Sequence, residues 1–320
     1  MAVLQGNDKN RDLTRQELAD RYLPNSHFGL VSQVDDPVDL IVFPESSMDE
    51  DPRTDRYLGE KLAGIARDRN AWVLANAVAD APENPAENAL NLNVLYGPDG
   101  EGEGTYAKRH LGPFGERVPL SATMRSIIPV LDEEIPRDFL PGRDAGIFDV
   151  AGVPVATVIC FESAFGYEVR PLVRDGAEVI VVSTNNRSYR RSANSAQHVA
   201  IGQMRAAETG RPVVQAAISG ISAVIDGDGR VRADTALFDR TVLQFPPSGF
   251  EAADSFFAVR DETGPDRLYL GLSSAGRSPK FALQAAAAAL LQATGDLLAQ
   301  GADVRAADAF WTAVLYFNSI

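Results

Sequence analysis

Short apolar runs rich in β-branched residues alternate along this chain with helical stretches, and that alternation constrains the fold more than any other feature. The runs cover residues 2–5, 38–43, 71–78, 90–96, 153–159, 178–183, 213–217 and 222–225. Helices are expected between them near residues 14–22, 54–69, 167–174 and 195–209. Such a pattern belongs to an α/β or layered α+β domain, because a bundle lacks the strand runs and an all-β barrel lacks the helices. Two hairpin signals, Gly97-Pro98-Asp99-Gly100 and Asp226-Gly227-Asp228-Gly229, each lie between apolar or alternating runs. Hairpins insert antiparallel strands, so mixed sheets are expected in place of a purely parallel, doubly wound one.

The chain has 320 residues, long enough for one large α/β domain or two small ones. Its 45% hydrophobic and 23% charged content is that of an ordinary globular protein, which excludes collagen, coiled coil and long disorder. Thirty Lys and Arg against 44 Asp and Glu leave a net charge of −14. That sign opposes non-specific attraction to nucleic acid and to anionic lipid, so no nucleic acid partner is expected. The best candidate membrane span, residues 281–298, is interrupted by Gln284, Gln292 and Asp296, and residues 1–10 lack the basic flank and apolar core of a secretory signal. As written, the chain reads as soluble, with neither a transmembrane segment nor a signal peptide. Composition shifts near Pro246: residues 1–247 read as one domain, and residues 248–320 as an irregular segment followed by helices near 279–300 and 306–317. The role of that tail is not legible; its aromatic end is a candidate packing surface.

Three potentially reactive side chains follow strand runs. Glu45 follows residues 38–44, Lys108 ends the second arm of the first hairpin, and Cys160 ends residues 153–159. Carboxyl ends of strands are where sites assemble in open α/β sheets, since the strand fixes a side chain that the next loop leaves reachable. Cys160 is the only cysteine, so no internal disulfide forms. A thiol with an ordinary pKa of roughly 8.5 needs a base or a cation to act as a nucleophile at neutral pH. A carboxylate supplies the base, and an ammonium stabilises the oxyanion formed on an attacked acyl carbon. Taken singly, each residue has an ordinary reading: Cys160 as a small buried hydrophobe, Glu45 as a solvated strand end, Lys108 as another exposed cation beside Arg109. Glu116 and Glu162 are open in the same way between surface and site. His27, His110 and His198 share no metal-ligand spacing and read as structural or exposed. No glycine-rich nucleotide loop is present.

Taken in order, the motifs resemble a known family. Pro44-Glu45-Ser46, Tyr106-Ala107-Lys108-Arg109-His110-Leu111 running into Pro113-Phe114-Gly115-Glu116-Arg117-Val118-Pro119, and Ile159-Cys160-Phe161-Glu162 are similar to the nitrilase (carbon-nitrogen hydrolase) superfamily. Within it the likeness is greatest to the catalytic domain of the apolipoprotein N-acyltransferases. Further matching stretches are Val3-Leu4-Gln5-Gly6-Asn7, Ser183-Thr184-Asn185-Asn186, Met204-Arg205-Ala206-Ala207-Glu208-Thr209-Gly210-Arg211-Pro212, and Ser219-Gly220-Ile221-Ser222-Ala223-Val224-Ile225-Asp226. The likeness runs from about residue 2 to 245.

The resemblance implies an αββα four-layer sandwich with mixed sheets and a Glu45, Lys108, Cys160 triad. It implies that Glu116 and Glu162 position the lysine and support the site, and that Phe161, Asn185 and Asn186 belong to a substrate loop. It implies no metal or organic cofactor. The expected function is acyl transfer through a Cys160 thioester, from a phospholipid to the N-terminal amine of a lipoprotein. One alternative is hydrolysis of a small amide by a soluble amidase; another is a catalytically silent binding module. Family relatives carry this domain outside the cytoplasm on a membrane anchor, and self-association into a homo-oligomer through a sandwich face is a further expectation. The chain departs from the resemblance at Arg187-Ser188-Tyr189-Arg190-Arg191, where many relatives place aromatic residues.

Overall fold

Thirteen strands, arranged as two mixed sheets, position the candidate residues in a computed structural model that describes residues 1–8, 14–112, 115–117 and 137–245, with a short strand pair, Asp254–Ser255 and Ala258–Val259. The first sheet holds β1 (Ala2–Gln5), β2 (Leu40–Val42), β3 (Trp72–Asp80), β4 (Asn88–Tyr96), β5 (Gly102–Ala107), β6 (Asp138–Phe139) and β13 (Thr241–Gln244). Its order is β13-β1-β2-β3-β4-β5, with β6 also beside β4. The second holds β7 (Ile147–Val150), β8 (Val153–Ile159), β9 (Val179–Thr184), β10 (Val213–Ala217), β11 (Ala223–Ile225) and β12 (Val231–Asp234), in the order β12-β11-β10-β9-β8-β7. In each sheet three central strands run parallel, β1-β2-β3 and β8-β9-β10; the strands flanking them pair antiparallel, except β6, which runs parallel to β4.

Successive side chains on a strand point to opposite faces, and here both faces are buried. Val3, Leu40, Val42 and Leu74 of the first sheet pack against Val155, Val181, Val214 and Val224 of the second. Their neighbours Leu4, Ile41 and Val73 point the other way, into a core with Leu58, Leu62 and Ala66 of α3 (Arg56–Arg69). Ile180, Val182 and Val213 face Val169 and Leu172 of α4 (Gly166–Arg174) and Val199 and Ala206 of α5 (Asn194–Thr209). The layers are therefore helix, sheet, sheet, helix. This is the expected sandwich, and the doubly buried strands explain the near-continuous apolar runs in the sequence.

Both hairpins form as expected: Gly97 to Gly100 joins β4 to β5, and Asp226 to Gly229 joins β11 to β12. Gly100 and Gly229 take φ of +82° and +81°, a region that side chains disfavour. The helix expected over residues 14–22 is instead two: α1 (Arg15–Ala19), started by a Thr14/Glu17 capping box, and α2 (Tyr22–Phe28). Arg21 in the left-handed region, φ +51°, breaks the helix between them. The expected boundary after residue 247 and the tail helices fall outside the described residues. No helix among the described residues is long and apolar enough to cross a membrane.

Candidate active site

Strands β8 and β9 run parallel with Ile159 opposite Ser183, so Cys160, the first residue beyond β8, comes beside Thr184, the last residue of β9. Thr184 Oγ1 lies 3.3 Å from Cys160 Sγ. Cys160 itself has φ +51°, a left-handed conformation that costs a β-carbon-bearing residue about 1–3 kcal/mol and needs support from its surroundings. It opens a 3₁₀ turn, Cys160–Ala164, and the residue is partly exposed.

Glu162 provides that support. Its carboxylate is fully buried and accepts hydrogen bonds from Ile159 N at 2.7 Å, Arg109 N at 2.7 Å, His110 N at 3.0 Å and the Tyr106 hydroxyl at 2.8 Å. One side chain thereby ties the cysteine turn to the loop that carries Lys108. Burial raises the Glu162 pKa above the ordinary carboxylate value, against the pull of these donors.

Lys108 follows β5, and its backbone is held by Asn91 O and Gly142 N. The ammonium is only 2% exposed, 2.8 Å from Glu116 Oε1 and 3.5 Å from Glu45 Oε1. Burial alone would lower its pKa, but the carboxylates of Glu45 and Glu116 outweigh burial and raise it, so the amine stays cationic. Glu116 Oε2 also accepts from Gly112 N at 2.8 Å, which fixes the second carboxylate.

Glu45 stands three residues beyond β2 and is 6% exposed. Asn91 Nδ2 donates to its Oε1 at 2.7 Å and Asn185 N donates to its Oε2 at 2.8 Å. Behind it runs an amide ladder: Asn76 Nδ2 donates to both Asn91 and Asn93, and Asn93 Nδ2 crosses to Thr157 Oγ1 of the second sheet at 2.7 Å. Asn76 Oδ1 accepts from Ser46 N at 2.8 Å, pinning the turn that presents Glu45. These asparagines did not stand out in the sequence. Their signal is the Asn91-Leu92-Asn93 spacing, which puts two amides on one face of a strand otherwise apolar from Ala89 to Tyr96.

The thiol sits in a field of opposing effects. Burial first, then the charge of Glu45, push Cys160 up to about 12 from an ordinary 9.0, while Lys108 and the Thr184 hydroxyl pull it down. The resting sulfur is therefore protonated, and it is coupled electrostatically to the Glu45 carboxylate and the Lys108 ammonium. His198 closes the back of the site. Its Nδ1 lies 2.9 Å from Asn186 Oδ1, and its Nε2 lies 3.0 Å from Ser163 Oγ and 3.3 Å from Cys160 O. Burial lowers its pKa, which keeps the ring neutral.

Of the residues expected in a substrate loop, Phe161 is 41% exposed and packs edge-on to Phe165. Asn185 enters through its backbone N–H. Asn186 is buried in the left-handed region, φ +57°, with its Oδ1 also 2.8 Å from Thr184 Oγ1. His27, on α2, is fully buried against Gly6 and is pushed down to about 4 by burial. His110 stacks on Phe165 at a centroid distance of 3.9 Å. Among the described residues no group of three or more His, Cys, Asp or Glu is placed to hold a metal ion.

The carbon-nitrogen hydrolase family profile matches residues 17–245. Curated relatives include the apolipoprotein N-acyltransferases of Geobacter metallireducens, 32% identical over 65% of this chain and 39% of the relative, and of Mycolicibacterium smegmatis, 34% identical over 64% and 34%. That of Photobacterium profundum is 30% identical over 76% of this chain and 47% of the relative. The chain thus spans about a third to a half of the length of the relatives it matches. Among solved structures, Saccharomyces cerevisiae Nit3, a member of branch 10 of the nitrilase superfamily, superposes with a TM-score of 0.56 at 15% identity, over 75% of this chain and 86% of that one. An amidase from Nesterenkonia sp. superposes with a TM-score of 0.53 at 19% identity, over 75% and 87%. At such identities the superpositions speak for the fold alone. On the profile match, the fold and the relatives together, the chain belongs to the carbon-nitrogen hydrolase family of enzymes, the nitrilase superfamily.

Proposed function

We propose that this chain transfers an acyl group from a phospholipid to the N-terminal amine of a lipoprotein, through a thioester on Cys160. The observation that carries the reading is a buried Glu45–Lys108 ion pair with the only thiol electrostatically coupled to both, the three residues following strands β2, β5 and β8 of the two facing sheets. Glu45 takes the proton from Cys160 Sγ as sulfur attacks the ester carbonyl carbon. Lys108 stabilises the negative charge that develops on the carbonyl oxygen, and Glu116, 2.8 Å away, holds the ammonium in place. Collapse of the tetrahedral intermediate breaks the acyl carbon–oxygen bond, and the proton on Glu45 passes to the departing alkoxide. The amine then attacks the thioester carbon and the carbon–sulfur bond breaks. The proton lost by the amine returns, through Glu45, to the sulfur.

Identity of 30–34% with enzymes named apolipoprotein N-acyltransferases supports a phospholipid donor and a lipoprotein acceptor. The test is incubation with a fluorescent phospholipid and a diacylglyceryl-cysteine peptide bearing a free N-terminus. The expected product is the peptide carrying the fluorescent acyl chain in amide linkage. Ammonia release from simple amides, with no acyl transfer from lipid, would replace this reading with that of an amidase.

A further inference from the structure

The turn after Thr184 concentrates positive charge in a chain whose net charge is −14. Arg187, Arg190 and Arg191 fall within five residues, immediately beyond the backbone N–H that contacts Glu45 and the hydroxyl that contacts the thiol. The turn is closed by hydrogen bonds from Tyr189 N to Asn186 O and from Arg190 N to Arg187 O. It is anchored from both ends. Arg187 lies 3.3 Å from the buried carboxylate of Asp8, and the Arg191 guanidinium stacks over the Phe238 ring at 5.3 Å. Between them Tyr189 is half-buried, and the turn begins two residues past Asn185, whose N–H contacts Glu45, and three past Thr184, whose hydroxyl contacts the thiol.

Arg190 and Arg191 are exposed, and neither forms an ion pair among the described residues. At the base of the same turn, the buried Nδ2 of Asn186 has no hydrogen-bond acceptor. The turn therefore offers an unused donor and exposed positive charge. The site beneath it has the opposite character. With a protonated thiol, Glu45 and Glu116 against Lys108 leave one net negative charge, inside an acidic protein. An anionic substrate approaching that site is repelled unless local cations compensate.

We propose that residues 187–191 form a binding site for the phosphodiester anion of the acyl donor, with Arg190 and Arg191 as the ionic contacts and Arg187 as the anchor of the turn. The inference rests on the acyl-transfer reading and adds a specificity to it: donors with an anionic group near the scissile ester are preferred to neutral ones. A guanidinium suits this role because its planar fork makes paired hydrogen bonds to phosphate oxygens.

The test compares two short-chain donors dispersed as monomers below their aggregation limit, a dihexanoyl phosphatidylglycerol and the neutral dihexanoylglycerol, on the whole chain. Thioester formation on Cys160 is the readout. The double variant Arg190→Gln/Arg191→Gln is expected to lower the ratio of kcat/KM for the anionic over the neutral donor about tenfold or more, through KM, and Arg190→Lys/Arg191→Lys is expected to retain most of it. The wild-type preference is expected to shrink with added salt. Millimolar inorganic phosphate tests whether a free anion suffices: competition with the anionic donor and not with the neutral one supports the site. An unchanged ratio in the glutamine variant, with both donors still acylating Cys160, would overturn the inference and leave the acyl-transfer reading standing. So would an effect seen only on vesicles and not on monomers. If neither donor acylates Cys160 in the wild type, the acyl-transfer reading fails instead.

Discussion

Glu45 and Lys108, 63 positions apart in the chain, meet at 3.5 Å with their side chains 8% and 2% exposed. Two opposite charges at that depth are tolerated only as a set, because removing one leaves the other without compensation. Lys108→Met strips the counterion from both Glu45 and Glu116 and is expected to cost about 3–5 kcal/mol of stability along with activity. Glu45→Gln leaves the Lys108–Glu116 pair intact and is expected to lose activity with a much smaller stability loss. Denaturant titration of both variants checks the asymmetry; equal stability losses would count against it.

The thiol sets a pH dependence. Cys160 has a folded pKa of about 12 against an ordinary 9.0, so the folded protein keeps a proton that the unfolded chain gives up first. The associated stability is complete below pH 9, declines as pH rises through that window and is gone above 12. The thermal midpoint of the wild type is therefore expected to fall more steeply between pH 9 and 12 than that of Cys160→Ala. The same protonated resting state predicts slow alkylation by iodoacetamide at pH 7, rising with pH throughout that range. A thiol fully reactive at pH 7 would contradict the described balance of burial and charge.

Glu162 acts on the site without touching the sulfur. Glu162→Gln turns an amide N–H₂ toward a set of hydrogen-bond donors, leaves at least one buried N–H unpaired and is expected to cost about 1–3 kcal/mol. Because this carboxylate links Ile159 to Arg109 and His110, acylation of Cys160 is expected to slow even where the variant is fully folded. Urea unfolding and the acylation rate, measured on one preparation, separate the two effects.

His198 is a positioning residue held neutral by burial. The pH–rate profile of the wild type is expected to show no break near 6.5 attributable to it, while His198→Ala is expected to lower the acylation rate about tenfold by releasing the Cys160 carbonyl, Ser163 and Asn186. A pH–rate break near 6.5 in the wild type that disappears in His198→Ala would show that the ring titrates during turnover.

Much of this was legible in the sequence because doubly buried strands announce themselves as apolar runs, and the residues that end such runs are held by rigid backbone. Glu45, Lys108 and Cys160 stand out as candidates in that way, the family resemblance joins them into one expected set, and both hairpins are marked by their glycines. What escaped had weaker local signals. Strands β7 and β13 are short, and what defines them is pairing with β8 and with β1. The break between α1 and α2 rests on the backbone conformation of a single arginine. Asn76, Asn91 and Asn93 look ordinary one at a time and acquire meaning only when β3 and β4 align them, Asn76 directly opposite Asn93. Thr184 reaches the sulfur through the β8/β9 register, which sequence spacing does not reveal.

The most direct measurement is intact-protein mass spectrometry after incubation with a phospholipid and no acceptor. One added acyl chain is expected on the wild type, removable by neutral hydroxylamine as a thioester, absent from Cys160→Ala and strongly reduced in Glu45→Gln and Lys108→Met. An unmodified wild-type mass under conditions where the lipid is accessible, or an adduct that persists without the thiol, would contradict the account.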